Sequence, residues 1–132
     1  MTKILIVDDD PDMQIVLDSI LRSRSYEVIE ARDGEEALAK LRSEKPDLML
    51  LDLLMPKMDG FAVVKELQNA HWSDYHDMPI LIMSSIREEA SQRRYELETG
   101  QELGADQYLE KPIAPAVLLA SVEKLLKRKQ LV

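Results

Sequence analysis

Three unbroken apolar runs, ILIV at 4–7, LMLL at 48–51 and ILIM at 80–83, recur along this chain with a helical pattern between each and the next. A strand that meets water on one face alternates apolar and polar residues. A run that is apolar at every position has to be covered on both faces, which requires a parallel sheet with helical crossovers above and below it. Two further segments, YEVIEA at 26–31 and QYLEKP at 107–112, mix charge into the pattern and read as less fully covered strands at the sheet edges. Five strands alternating with five helices give a three-layer α/β/α sandwich with right-handed crossovers. With the second and fifth strands at the edges, the order 2-1-3-4-5 follows.

The helices carry their own punctuation. Met13, Val16, Leu17, Ile20 and Leu21 have the spacing of one buried stripe, with Asp10 as N-cap and Pro11 at the first helical position. Asp33 and Glu36 have capping-box spacing before Ala37, Leu38 and Leu41, and Pro46 ends that helix. A third helix opens at Asp59 and Gly60 and is predicted to run to about Ala70. The stretch from Arg87 to Leu103 is dense in charge with a thin apolar stripe. The last helix, about Pro115 to Lys129, turns Leu118, Leu119, Val122, Leu125 and Leu126 inward. HWSDYHD at 71–77 holds both histidines without clear periodicity and reads as a polar surface loop. Met49, Met55, Met58 and Met83 read as core filler and loop packing.

A chain of 132 residues, 45% apolar, suffices for one core, so a single domain over residues 1–132 is expected. No apolar run approaches bilayer-spanning length and the start lacks a secretory cleavage pattern, which implies a cytoplasmic location and no membrane partner. With no cysteine, a thiolate nucleophile and a zinc–thiolate cage are excluded. The net charge of −8 argues against direct nucleic-acid binding by this domain.

In an open α/β sheet of this order, ligands bind beyond the carboxyl ends of strands one and three, at the topological switch point. Asp8 and Asp9 end strand one and Asp52 ends strand three. Two carboxylates about 4 Å apart repel by about 4 kcal/mol near a protein surface, so something must offset the crowding. An all-oxygen donor set suits Mg²⁺, which commonly shares its site with a phosphoryl group. Ser84 at the end of strand four and Lys111 at the end of strand five add a hydroxyl and an ammonium for anionic oxygens. The nucleophile would then be a carboxylate, with Asp52 on the central strand best placed to face Ser84 and Lys111.

In order, VDDD, LLDLLMPKMDG, IMSS and YLEKP resemble the receiver domain of two-component response regulators, the CheY-like family with a flavodoxin-like fold, over essentially the whole chain. The resemblance implies that Asp52 accepts a phosphoryl group from the phosphohistidine of a sensor histidine kinase or phosphotransfer protein. It implies that Asp9 and Asp52 bind Mg²⁺ directly, Asp8 mainly through water, and that the Leu54 carbonyl completes the protein ligands. Lys111 would pair with the phosphoryl oxygens and Ser84 would hydrogen-bond one of them. Tyr108 would turn inward as Ser84 moves, changing the face of helix four, strand five and helix five for a downstream effector protein or domain. A cis Lys111–Pro112 bond is also implied. Leu54 and Ile86 stand where the family tunes access of hydrolytic water, and their apolar character suggests slow self-dephosphorylation in a signalling domain that is not otherwise an enzyme.

Two other readings compete. A haloacid-dehalogenase-like phosphatase would use Asp8 as nucleophile and Asp10 as acid, but leaves Pro11 and DLLMPKMDG unexplained. A receiver-like scaffold would bind partners without phosphate. The segments after the third helix and between Ser84 and Lys111 are longer than the common family pattern, through an extended fourth helix or an extra turn near Gly100. A phosphorylation-dependent homodimer is therefore left open, without the family's usual dimer mode.

Overall fold

The computed structural model describes residues 1–99 and 104–130, and their side chains except those of 86–89, 91, 129 and 130. The elements are β1 (Lys3–Val7), α1 (Pro11–Arg22), β2 (Glu27–Ala31), α2 (Gly34–Glu44), β3 (Leu48–Asp52), α3 (Gly60–Leu67), a 3₁₀ helix (Ala70–Tyr75), β4 (Ile80–Ser84), α4 (Ile86–Thr99), β5 (Gln107–Glu110) and α5 (Pro115–Gln130). All pairings are parallel and the order is β2-β1-β3-β4-β5, as the apolar runs predict.

The alternation of each central strand divides the core in two. Leu5, Val7, Met49, Leu51, Ile80 and Ile82 join Ala37 and Leu41 of α2 and Val63, Val64 and Leu67 of α3 on one face. Ile4, Ile6, Leu48, Leu50, Leu81 and Met83 join Leu17 and Leu21 of α1 and Leu118, Val122 and Leu125 of α5 on the other. Met55 and Met58 pack against the first cluster, as expected. Caps fall where the sequence puts them: Asp10 accepts from the N–H of Asp12, Asp33 from Glu36 and Asp59 from Ala62, each at 2.9 Å.

Several expectations are corrected. In α1, Val16 is 51% exposed and the buried stripe is Gln14, Leu17 and Leu21, with Met13 and Ile20 only partly covered. The stripe is rotated because Gln14 finds hydrogen-bond partners that let a polar residue take the inner position. Helix α3 stops at Leu67 rather than near Ala70. The 71–77 segment is at the surface with both histidines exposed, as expected, but residues up to Tyr75 belong to the 3₁₀ helix instead of a loop, and Trp72 is only 3% exposed. The Trp72 indole N–H donates to Glu66 Oε1 at 3.0 Å, Arg42 lies 4.1 Å over its ring, and the Tyr75 hydroxyl donates to the Leu41 carbonyl at 2.8 Å. The backbone kinks at Trp72, and the Trp72 and Tyr75 rings, tilted with centroids 5.5 Å apart, cover the end of α2 together. Helix α4 rests on the first core cluster through Tyr95, stacked on Phe61 with ring centroids 5.2 Å apart. The choice between an extended fourth helix and an extra turn near Gly100 falls on residues 100–103, which, like the Ile86 side chain, lie outside the described residues.

Candidate functional site

The parity that sends Ile4 and Ile6 to the α1/α5 face also governs Asp8, and that of Leu48 and Leu50 governs Asp52. Asp8 is 1% exposed and Asp52 3%. Carboxylate oxygens of Asp8, Asp9 and Asp52 lie within 4.8 Å of one another, Asp9 being the exposed member. Lys111 Nζ stands 3.2 Å from Asp52 Oδ1 and 3.9 Å from Asp8 Oδ2. Four of the residues picked out in the sequence thus converge at the switch point.

Asp8 is held unequally. Its Oδ1 accepts from the backbone N–H of Asp10 at 2.9 Å, whereas its buried Oδ2 has no hydrogen-bond partner among the described residues. Burial pushes its carboxyl above the ordinary value, and the like charges of Asp9 and Asp10 push the same way, against the Asp10 N–H and the Lys111 charge. A buried carboxylate oxygen without a donor, facing two more carboxylates, fits a hard divalent cation, which needs no proton to satisfy it.

Ser84 ends β4, 4% exposed, one register position beyond Met83, the partner of Asp52. Its carbonyl accepts from the Lys111 N–H at 2.6 Å, so the β4–β5 ladder continues past β5 and fixes where the lysine leaves the sheet. The Lys111–Pro112 bond is cis. Tyr108 lies on the edge strand at 40% exposure, opposite Ile82. Leu54 follows Asp52 by two residues and is half-buried against the first core cluster. Asp10 caps α1 and stands outside the acidic cluster.

The loop after β3 is pinned by two close backbone approaches. Gly60 donates its N–H to the Leu53 carbonyl at 2.8 Å, and Gly34 donates to the Met58 carbonyl at 2.8 Å. A Cβ on Gly60 would come within 2.9 Å of Leu53 Cα and closer still to the Asp52 carbonyl oxygen. Backbone cannot yield as a flexible side chain does. Gly60→Ala is therefore expected to lower stability by about 2 kcal/mol, the middle of the range for overpacking, as read from the urea midpoint. A midpoint equal to that of the parent would show that the β3–α3 junction is looser than its geometry.

Sequence reasoning missed Gln14, 5% exposed and bonded to three carbonyls around the acidic turn. Its spacing to Leu17 and Leu21 was the available signal, masked by its polarity.

Fold and site together define a doubly wound domain carrying an acidic centre and a lysine at its switch point. The family model for the response regulator receiver domain matches residues 4–123. PhoP of Bacillus subtilis, an alkaline phosphatase synthesis transcriptional regulatory protein, is 40% identical over 129 residues, covering 98% of this chain and 50% of that protein. Response regulator MprA of Mycobacterium ulcerans is also 40% identical over 129 residues, covering 98% of this chain and 52% of that protein. This chain spans about half the length of these curated relatives. Among solved structures, the signal receiver domain of a signal transduction histidine kinase from Syntrophus aciditrophicus matches with a TM-score of 0.82 and 33% identity, covering 96% of this chain and 91% of that one. A CheY-like receiver domain protein from Methanospirillum hungatei matches with a TM-score of 0.79 and 28% identity, covering 98% and 97%. The chain belongs to the response regulator receiver domain family, the phosphoacceptor domains of two-component systems. Among the described residues no helix is long and apolar enough to cross a membrane.

Proposed function

We propose that Asp52 is the phosphoacceptor and that residues 1–132 act as one phosphorylation-gated signalling domain. The observation that supports this best is the Lys111 ammonium 3.2 Å from Asp52 Oδ1, beside two further carboxylates. The Asp52 oxygen attacks the phosphorus of a phosphohistidine on a sensor histidine kinase or phosphotransfer protein. A P–O bond forms as the P–N bond breaks, and its electron pair returns to the imidazole nitrogen. Lys111 stays close enough to compensate charge on the transferred oxygens. Asp8, Asp9, Asp52 and the Leu54 carbonyl are the groups that would hold Mg²⁺, whose positive charge offsets repulsion between the acidic centre and an incoming phosphoryl group.

Ser84 hydrogen-bonds a phosphoryl oxygen, and Tyr108 moves inward in response. Phosphate shifts this equilibrium only through contacts that differ between the two states, and Ser84 and Lys111 provide them. The α4–β5–α5 face then presents a changed surface to an effector protein or domain in the cytoplasm. The similarity to proteins named as transcriptional regulators supports an effector of that kind outside this chain. The apolar Leu54 slows hydrolysis of the aspartyl phosphate.

Incubation with acetyl phosphate and MgCl₂, followed by borohydride trapping and peptide mapping, tests the assignment. Label on Asp52 is expected, and its omission on chelation with EDTA. Label on Asp8 would instead identify a phosphatase-like use of the site.

A further inference from the structure

Gln14 lies on the first turn of α1, one of the few polar side chains in the interior. Its Nε2 donates to the Ala31 carbonyl at 2.8 Å and the Asp8 carbonyl at 3.0 Å, and approaches the Ile6 carbonyl at 3.3 Å. Its Oε1 is buried with no hydrogen-bond partner among the described residues. Three carbonyls can face only the donor end of an amide, so the orientation of the group is dictated by its surroundings.

The ladder between β1 and β2 ends at Val7 and Ala31. Just past it, Asp8 N–H donates to the Ala31 carbonyl at 3.0 Å, and the Gln14 amide bridges that carbonyl to the one of Asp8. The backbone N–H of Gln14 donates to the Asp10 carbonyl at 3.1 Å. One residue therefore grips both ends of the Asp8–Asp10 span, Asp8 through its side chain and Asp10 through its backbone. Within that span Asp10 N–H occupies Asp8 Oδ1, leaving Oδ2 for the centre. Asp9, between the two grips, has its reach set by them.

We infer that Gln14 is a positioning residue of the acidic centre, holding the Asp8–Asp10 span in the shape that brings both carboxylates to Asp52 and so setting the affinity for Mg²⁺. The inference rests on the reading of Asp8, Asp9 and Asp52 as metal ligands. Groups that orient ligands commonly carry a tenfold to hundredfold share of metal affinity.

Gln14→Met keeps the length and helix preference of the side chain and removes its donors. Titration calorimetry with MgCl₂, at a temperature where circular dichroism shows each chain folded, is expected to give a dissociation constant about tenfold above that of the parent. Leu17→Ala loosens the same helix through its apolar side and is expected to leave the affinity within twofold. If Gln14→Met does not fold, Gln14→Asn, one methylene too short to reach all the carbonyls, is expected to weaken Mg²⁺ in the same direction. Parental affinity in the Gln14 variant, or an equal loss in Leu17→Ala, would overturn the inference while leaving the metal site standing. A parent chain that takes up no Mg²⁺ would overturn both.

Discussion

An Asp52→Asn chain is expected to take up no measurable phosphoryl group from acetyl phosphate in the presence of Mg²⁺. The fall in rate should be at least about 10³-fold, the scale on which covalent catalysts lose activity without their nucleophile. The carboxamide keeps the shape of the side chain and an oxygen able to accept from Lys111 Nζ, 3.2 Å from Asp52 Oδ1 in the parent. It lacks the anionic oxygen that could form an acyl phosphate. The fold should survive, because the substitution removes one of three crowded negative charges and leaves the packing around a 3% exposed site unchanged. Intact mass after a fixed interval reads the label, and the ring resonances of Tyr108 read the response. Donor-dependent changes at Tyr108 should appear in the parent and vanish in the variant. Label persisting at the parental rate would remove Asp52 from its role. A Tyr108 signal indifferent to donor in both chains would favour a scaffold that works without phosphate.

Different parts of this design were legible in the sequence to different degrees, for physical reasons. The central strands were readable because burial on both faces leaves no polar position in Ile4–Val7, Leu48–Leu51 or Ile80–Met83. Once their order followed from the polar edges, the convergence of Asp8, Asp9, Asp52 and Lys111 was a consequence of strand ends. The buried face of α1 was not readable from hydrophobicity, since Gln14 sits inside by virtue of carbonyls from β1 and β2 that only the tertiary structure brings near, while Val16 faces out. Trp72 was hidden in a polar run because its partners, Glu66 and Arg42, come from α3 and α2. Nor does sequence reveal that one oxygen of Asp8 is satisfied and the other stranded, a distinction made by a single backbone N–H.

That stranded oxygen leads to an effect of opposite sign in two solutions. Asp8→Asn retains an acceptor for the Asp10 N–H and removes a charge that burial disfavours. In EDTA at neutral pH the variant is expected to be the more stable chain, by about 1 kcal/mol or about 4 °C in melting temperature, a gain typical where function maintains an unfavourable group. Because the folded-state pKa of Asp8 is raised, its proton favours the native state. That contribution is complete below the unfolded-state pKa and is lost as pH rises through the folded one, so the advantage of the variant should shrink as pH falls through this window. With MgCl₂ at ten times the dissociation constant, the parent should gain about 1.4 kcal/mol by mass action and overtake a variant whose site has lost a carboxylate. Thermal melts across pH, with and without the metal, measure both halves. A variant less stable than the parent in EDTA would mean that Lys111, 3.9 Å from Asp8 Oδ2, already compensates the buried charge. The cation would then not be needed to relieve it, and the acidic centre would owe its geometry to the fold alone.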